Sequence, residues 1–180
     1  MPIGAALTFD RETEAAVRGL WQAQVDAGLP SVMAENDYPP HMTLLLAEEG
    51  DFNGLRDAFT LLSREIKPLP VDFLSLGLFA AEYGVVYLAP VVNHALLDLH
   101  STIWNGAVPH LARLYDYYQP GVWVPHVTLA NRLTTEYLGP ATSLLSSSSW
   151  PRSGTINSIL FGDFQPGGVS YLETVYLKGL

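Results

Sequence analysis

Two short stretches of the sequence carry the same pair of chemically active side chains. They read Pro-His-Met-Thr-Leu from position 40 and Pro-His-Val-Thr-Leu from position 125, so His41 and His126 lie 85 positions apart. Residues i and i+2 of a β-strand share a face, so His41 is expected to point the same way as Thr43, and His126 the same way as Thr128. If the chain is a duplicated unit, two imidazoles and two hydroxyls converge on one cleft.

This set of side chains suits phosphoryl chemistry. A neutral histidine takes a proton from an attacking water and an imidazolium protonates the leaving oxygen, because the unperturbed pKa of about 6.5 lies close to working pH. Threonine hydroxyls donate to the non-bridging phosphate oxygens and hold the group in line for displacement. No cofactor is needed. Imidazole also binds metals, so a metal site is the alternative, but no carboxylate stands beside either motif.

The elements that must position the motifs recur in the same order in each half of the chain. A strand at 3–9 precedes both halves, and each half has a helix, a motif strand, a second helix and two further strands. Apolar periodicity and glycine or proline breaks place the first set at 10–27, 41–47, 52–66, 71–79 and 85–89, and the second at 93–114, 122–131, 134–145, 155–164 and 169–177.

Matched positions support a duplication. Gly77 and Phe79 match Gly162 and Phe164 at an offset of 85, and Trp21 precedes its counterpart at 104 by 83 positions. We therefore predict a single α+β domain over 1–180, with two pseudo-two-fold-related lobes of mostly antiparallel sheet flanked by helices around a central cleft. The first lobe is expected at about 10–90 and the second at about 93–177, with strand 3–9 completing the sheet.

The composition restricts the possible partners. Apolar residues make up 48% of the 180 and charged residues 15%, which favours a large buried core. The net charge of −9 and the absence of a basic stripe argue against DNA or long RNA and favour a small nucleotide or cyclic phosphate, with short RNA ends still open. No cysteine is present to form disulfides or thiolate metal sites. Without a signal peptide or a membrane-spanning apolar run, we expect a cytoplasmic monomer with no membrane partner.

The paired motifs resemble those of the two-histidine (2H) phosphoesterase superfamily, within it the 2′-5′ RNA ligase-like and cyclic phosphodiesterase branch. The stretches Leu-Gly-Leu-Phe at 76–79 and Val-Val-Tyr-Leu-Ala-Pro at 85–90 are also similar to that branch. The resemblance implies a bilobal fold and metal-independent cleavage of cyclic or 2′-5′ phosphodiesters. By motif position it implies four catalytic residues: His41, Thr43, His126 and Thr128. Relatives often carry an arginine behind the second motif. Here Arg132 follows Asn131, and its strand parity with His126 predicts that it reaches the phosphate.

Four aromatic residues are candidates for binding a nucleobase. Tyr38 and Trp123 each stand three positions before a motif histidine, and Phe79 and Phe164 end equivalent strands. Aromatic rings on a cleft rim stack on bases, although packing at the proline entries is the alternative for these residues. The remaining histidines, His94, His100 and His110, lie outside any motif and are predicted to be surface or helix-packing residues.

The sequence therefore predicts an enzyme that hydrolyses a small cyclic phosphodiester of the 2′,3′-cyclic nucleotide kind. The alternative activity is cleavage or reversible ligation of 2′-5′ bonds in an oligonucleotide. A nucleotide-binding module with a dormant site, whose histidines only bond to backbone groups, is the alternative from a different functional class.

Overall fold

The strands belong to one antiparallel sheet. The computed structural model describes residues 2–36, 38–80, 82–165 and 168–179, and for 164, 165 and 168–171 the backbone alone. The described strands are β1 (Ile3–Phe9), β2 (His41–Gly50), β3 (Leu69–Phe79), β4 (Gly84–Pro90), β5 (Leu111–Leu114), β6 (Val127–Leu133), β7 (Ser153–Gln165) and β8 (Gly168–Tyr176). Their order is β5-β2-β1-β7-β3-β4-β6, and β8 pairs with β7.

Helices connect these strands, so the predicted α+β class is confirmed. The described helices are α1 (Arg11–Asp26), α2 (Val32–Glu35), α3 (Phe52–Ser63), α4 (His94–Ala107) and α5 (Thr135–Ser147). Asp10 begins α1 as predicted, because its carboxylate accepts a hydrogen bond from the Thr13 amide at 2.9 Å. Gly28 follows the helix with φ of 72°, a left-handed conformation in which glycine meets no Cβ penalty.

The topology repeats once, as β1-α1-β2-α3-β3 and then as β4-α4-β6-α5-β7. β2 pairs with β1 and β1 with β7, whereas β6 pairs with β4 and β4 with β3. We call β5, β2, β1, β7 and β8 the first lobe, and β3, β4 and β6 the second lobe. The lobes join where residues 69–72 of β3 pair with 153–156 of β7. Each lobe therefore takes its third strand from the other repeat.

These boundaries differ from the expected lobes at 10–90 and 93–177. β1 is the first strand of the first repeat, and β4 opens the second repeat because it pairs with the motif strand β6. The sequence also matches at an offset of 84, with Gly-Val-Val-Tyr-Leu at 84–88 and Gly-Val-Ser-Tyr-Leu at 168–172, and this match compares the second strands of two hairpins. A hairpin depends on its local turn sequence. Which strand pairs with a motif strand depends instead on contacts between residues distant in sequence, and a match between two hairpins gives no information about those contacts.

Two predicted elements around the second motif were wrong in extent. The helix expected to run from 93 to about 114 ends at Ala107, and a 3₁₀ turn at Val108–His110 contains Pro109, which has no amide hydrogen for a helical bond. The next four residues form β5, which adds to β2 along Ala47–Gly50. The strand expected from Val122 begins only at Val127.

The two faces of the first lobe differ in what covers them. Phe161 of β7 contacts Phe52 and Phe59 of α3, with ring centroids 5.3 and 5.1 Å apart, and this face also holds the fully buried Met42 and Leu44. His41 and Thr43 alternate with those residues and are half-buried on the opposite face, which is the cleft face. Among the described residues, no helix is long and apolar enough to cross a membrane.

Candidate active site

Both motif histidines are held by the same backbone contact. The Nδ1 atom of His41 lies 2.8 Å from the carbonyl oxygen of Pro39, and Nδ1 of His126 lies 2.8 Å from that of Val124. A carbonyl oxygen only accepts hydrogen bonds, so Nδ1 is the protonated nitrogen in each ring. This assignment leaves both Nε2 atoms available to take or give a proton, and the backbone two residues upstream fixes each ring.

The two imidazoles also influence each other electrostatically. Burial is the main cause that lowers the pKa of His41; the Pro39 bond opposes it, and the nearby charge of His126 lowers it further. Burial likewise lowers the pKa of His126, against the bond to Val124. Because one imidazolium disfavours a second beside it, the pair holds at most one charge easily.

Side chains hold the backbone of both motif threonines. The indole Nε1 of Trp123 donates to the Thr43 carbonyl at 2.9 Å, and the indole Nε1 of Trp21 donates to the Thr128 carbonyl at 3.1 Å. The carbonyl of the residue after each threonine is also hydrogen-bonded. Gln24 Nε2 of α1 donates to Leu129 at 2.9 Å, and His100 Nε2 of α4 lies 3.2 Å from the carbonyl of residue 44. Two helices, α1 and α4, and the segment before β6 therefore supply donors to the strand edges that carry the motifs.

Tyr118 reaches the first motif from the tyrosine-rich segment before the second. Its phenol shares a hydrogen bond with the Thr43 side chain, and burial, helped by Tyr117, raises the pKa of Tyr118 well above its ordinary value. Tyr118 therefore stays neutral and keeps its proton. The Thr43 contact acts in the opposite direction and lowers this pKa, as a hydroxyl that donates to the phenol oxygen does, but burial outweighs it.

An aromatic wall stands beside His126. The Phe79 ring meets the imidazole edge-on at 5.0 Å, Tyr87 lies 5.4 Å from it, and the two aromatic rings stack on each other at 4.4 Å. A cavity of about 350 Å³ opens here, lined by the 79, 117, 118 and 122–124 side chains as well as the imidazole. We call it the aromatic cavity. Its size and lining suit a planar aromatic group.

Residues 13–162 match the family model of the 2′-5′ RNA ligase superfamily. The chain belongs to this superfamily. The resemblance predicted from the two motifs is thereby confirmed. A Bacillus licheniformis protein with a provisional phosphoesterase name is 28% identical over 101 residues, which cover 54% of this chain and 56% of that protein. The match therefore spans about half the length of this curated relative.

Solved structures of similar proteins share the fold of this 2′-5′ RNA ligase superfamily member. TT0787 of Thermus thermophilus gives a TM-score of 0.61 at 17% identity, covering 99% of each chain. Escherichia coli LigT gives 0.60 at 18%, covering 98% of this chain and 97% of its own. Kluyveromyces marxianus Usb1 gives 0.55 at 10%, with the same coverage. LigT has also been solved with 3′-AMP and Usb1 with uridine monophosphate.

The aromatic residues predicted to stack on a base have different surroundings in this superfamily member. Trp123 is only 8% exposed, and one face of its indole stacks on His100 at 4.0 Å, so its main contacts are within the protein. Tyr38 meets the His41 ring edge-on at 6.5 Å. Phe79 lines the aromatic cavity. The side chain of Phe164 lies outside the described residues.

Arg132 does not follow the alternation that its predicted role requires. Its φ is 54°, and the pairing of β6 with β4 shifts between Ala130 and Leu133, so a bulge interrupts the strand before Arg132. Arg132 is exposed there, while the Oδ1 atom of Asn131 is buried without a hydrogen-bond partner in the described structure. Parity counted along the sequence cannot detect such a bulge.

Sequence reasoning missed the residues that hold the motifs. His100 was expected to be a surface or helix-packing residue, and it is a packing residue: it is 1% exposed on α4 and contacts β2 and Trp123. Its hydrogen bond to the first motif strand was not predicted. Nothing singled out Gln24, and for Tyr118 the only signal was three tyrosines just before the second motif. Among the described residues, no group of three or more His, Asp or Glu side chains is arranged to hold a metal ion.

Proposed function

We propose that this chain is a phosphodiesterase that opens a small cyclic phosphodiester, of the 2′,3′-cyclic nucleotide kind, by acid–base catalysis between two histidines. The observation that carries the proposal is the matched pair of imidazoles, each with Nδ1 bonded to a backbone carbonyl and Nε2 left for proton transfer. Two such groups, with the charge of His126 near enough to lower the pKa of His41, are what the addition of water to a phosphodiester needs.

The reaction then runs with His41 as the base and His126 as the acid. Neutral His41 takes a proton from water, the water oxygen bonds to phosphorus, and the bond from phosphorus to the 2′ oxygen breaks. His126 gives its proton to that oxygen, so a 3′-phosphate and a free 2′-hydroxyl result. The repulsion between the two rings supports a reaction with one acid and one base, since the pair then holds one proton readily and a second one poorly.

The threonines are assigned to the phosphate. In each motif the threonine follows the histidine by two positions on the same strand face, within reach of the same phosphoryl group. Hydroxyl donors there would stabilise charge that develops on the non-bridging oxygens.

A nucleoside is the favoured substituent of the phosphate. The aromatic cavity adjoins His126 and offers ring faces to a base. The E. coli LigT structure holds 3′-AMP, which is the product that water leaves when it opens adenosine 2′,3′-cyclic phosphate at the 2′ oxygen. Uridine monophosphate on Usb1 is a ligand of the same class.

The proposal predicts hydrolysis that does not depend on a metal ion. After exhaustive treatment with EDTA, the protein should convert 2′,3′-cyclic nucleotides to nucleoside monophosphates at an unchanged rate, measured by chromatography of the products. Loss of activity on chelation with recovery on adding Zn²⁺ or Mn²⁺ would require a metal mechanism instead. Turnover of 2′-5′ oligoadenylates without turnover of cyclic nucleotides would move the activity to 2′-5′ phosphodiester cleavage.

A further inference from the structure

One edge of the second lobe is open. β3 pairs with β7 through residues 69–72 and with β4 from Phe73 to Phe79. The Phe73 amide still donates to the Arg152 carbonyl on the β7 side, at 2.8 Å, but from Leu74 onwards no strand among the described residues pairs with that side of β3. We call residues 74–79 on that side the open edge. Every second residue there directs its N–H and C=O away from β4, without a partner strand.

The corresponding edge of the first lobe is occupied. β7 is the counterpart of β3, because each is the third strand counted from its motif strand, in the orders β2-β1-β7 and β6-β4-β3. β7 pairs with β3 through residues 153–156, and its remaining length, from Ser158 to Gln165, pairs with β8. No described strand takes the place of β8 in the second lobe. The internal symmetry of the fold therefore indicates that an antiparallel strand suits the open edge.

The open edge is apolar. Leu74 is 66% exposed and Leu78 is 48% exposed, and no charged residue occurs between Asp72 and Glu82. The register with β4 shifts at Leu74, where a bulge directs the side chain outwards. Of the usual protections of an edge strand, this stretch has the bulge but no charge and no proline. Such an edge can take up a further strand.

The sequence of the open edge is complementary to itself. It reads Leu-Ser-Leu-Gly-Leu from position 74 to position 78. When two copies pair antiparallel about a two-fold axis through Leu76, each leucine lies opposite a leucine and Ser75 lies opposite Gly77. Asp72 then falls opposite Ala80, so no like charges face each other. This symmetry favours a second copy of the chain over an unrelated strand.

Two opposite charges flank the open edge. Arg152 stands beside Phe73 at its start; the guanidinium is exposed, lies against the Trp150 ring and forms no ion pair among the described residues. Glu82 is exposed in the turn that follows the other end. Two-fold pairing reverses the strand direction, so the start of the edge in one copy meets its end in the other. Arg152 of each copy therefore approaches Glu82 of the other.

We propose that the open edge of β3 joins two copies of this chain in one continuous sheet. Five paired residues a side are far fewer than the roughly 20–30 of a stable interface, so we expect a weak dimer with a dissociation constant of about 10–100 µM. β4 separates β3 from the motif strand β6, so both clefts stay open and the dimer does not depend on the proposed function. The protein would then be a weak dimer rather than the monomer expected from the sequence.

Cross-linking tests the register, because the chain has no cysteine of its own. Directly opposite residues have Cβ atoms about 4.5–5.5 Å apart, close to the span of a disulfide, so Leu76→Cys should form a disulfide-linked dimer under mild oxidation with copper phenanthroline. Leu74→Cys is more exposed, but its two copies lie roughly 13 Å apart along the strands and should link far more slowly. Leu61→Cys, 65% exposed on α3, measures linkage by random collision.

Sedimentation over about 5–500 µM protein measures the affinity, in about 0.15 M NaCl, which screens most of the repulsion between two copies of net charge −9. Leu74→Lys should weaken association at least tenfold, because it places a charge against the apolar edge of the other copy. Leu61→Lys, at a position of equal exposure, should associate as the wild type does. Arg152→Glu should weaken association about tenfold, and adding Glu82→Arg should restore it.

The proposal fails if the wild type stays monomeric up to about 500 µM, or if Leu74→Lys associates as tightly as the wild type. Leu76→Cys linkage no faster than that of Leu61→Cys would exclude the register about Leu76. So would a double charge exchange that does not regain the wild-type affinity. None of these measurements uses a nucleotide or a turnover rate, so their outcome is separate from that of the proposed reaction.

Discussion

Each motif histidine combines a fixed hydrogen bond with a lowered proton affinity. The carbonyls of Pro39 and Val124 hold the Nδ1 protons, so proton exchange with a substrate is confined to the Nε2 atoms. Burial disfavours the charged form of both rings, and the charge of His126 opposes a second charge on His41. In the proposed reaction a bound phosphate anion would favour one imidazolium, so the substrate itself would help to create the acid.

The pH dependence of the reaction follows from these shifts. Lowered pKa values mean that both rings release their protons below 6.5, the ordinary value. The base becomes active at a lower pH, and the acid is lost at a lower pH. We therefore expect kcat/KM, which reports the free enzyme, to be bell-shaped with its maximum below 6.5. The kcat profile should lie at higher pH, because bound phosphate raises both pKa values.

Single replacements check that the two rings belong to one reaction. His41→Ala and His126→Ala should each lose about 10²–10⁴-fold in kcat, the usual worth of positioned proton transfer. The double variant should be little slower than either single variant, because the pair acts as a unit. His94→Gln, at an exposed helix end, is the control and should keep the wild-type profile. Additive losses would contradict a shared reaction.

At the scale of elements, the motif strands depend on side chains that complete their edges. β2 pairs with β1 on one side, and near Thr43 its other edge is bonded by Trp123 and His100. β6 pairs with β4, and near Thr128 its other edge is bonded by Trp21 and Gln24. These bonds satisfy carbonyls beside the cleft without adding a strand, so the cleft stays open where the histidines stand.

Removing one of these donors should affect both stability and turnover. Trp123→Phe keeps an aromatic ring against His100 but leaves the Thr43 carbonyl without its indole donor. We expect the free energy of unfolding, measured in urea, to fall by about 1–3 kcal/mol. We also expect kcat to fall several-fold, because the strand that carries Thr43 is held less firmly. Trp21→Phe should act similarly through Thr128.

Trp150→Phe is the matched control for these two variants. Trp150 packs against Arg152, with the guanidinium 3.9 Å from the ring centroid, and it bonds to neither motif strand among the described contacts. The Trp150→Phe variant should lose less free energy of unfolding than the other two variants, and its kcat should stay at the wild-type value. An unchanged kcat in both Trp123→Phe and Trp21→Phe would mean that the edge bonds do not position the site.

The elements that could be predicted are those with a local signal. Asp10 and Gly28 mark the ends of α1, and the first motif marks the start of β2, so these boundaries were found from the sequence; the end of β2 was expected at 47 and lies at Gly50. Residues 111–114 were wrongly assigned to a helix, because they form a strand only by pairing with the edge of β2. Arg132 was assigned to the cleft by counting strand parity without a bulge, and that bulge arises from the pairing of β6 with β4. Contacts distant in sequence decide such features.

The paired His-x-Thr motifs are a local signal that repeats, and the repeat itself indicated one shared site. The residues that hold the site lacked any such signal. Trp21 and Gln24 of the first repeat bond to the strand of the second motif, 107 and 105 positions away. These contacts form because the two repeats exchange elements. A position-by-position comparison of the two repeat sequences does not reveal that exchange.

At the scale of the whole molecule, the exchange makes each lobe depend on the other. β3 and β7 each extend from one lobe into the other, and His100 stands at a junction of α4, β2 and the segment before β6. Burial lowers the pKa of His100, against hydrogen bonds to the carbonyls of Leu44 and Tyr118. Protonation of this ring would therefore place a charge in a buried site where α4, β2 and the segment before β6 meet.

Acid should consequently destabilise the fold in a defined pH window. The pKa values of His41, His100 and His126 are lowered in the fold, so below 6.5 the unfolded chain binds more protons than the native protein. Their contribution to stability is complete above that pH and is lost as the pH falls, by up to about 1.4 kcal/mol per pH unit for each histidine. Urea unfolding on either side of pH 6.5 measures this loss.

Variants separate His100 from the other acid-sensitive groups. His100→Gln should be less stable near neutrality, because it loses the stack on Trp123, but its stability should fall less on acidification than that of the wild type. His94→Gln, at the exposed start of α4, should decline with the wild type. Burial raises the pKa of Asp10, but hydrogen bonds from Thr13 and Thr155 outweigh it and leave that pKa below 3.8, so Asp10 acts in a more acidic window. Parallel decline of wild type and His100→Gln would show that His100 is not the residue that couples acid to the fold.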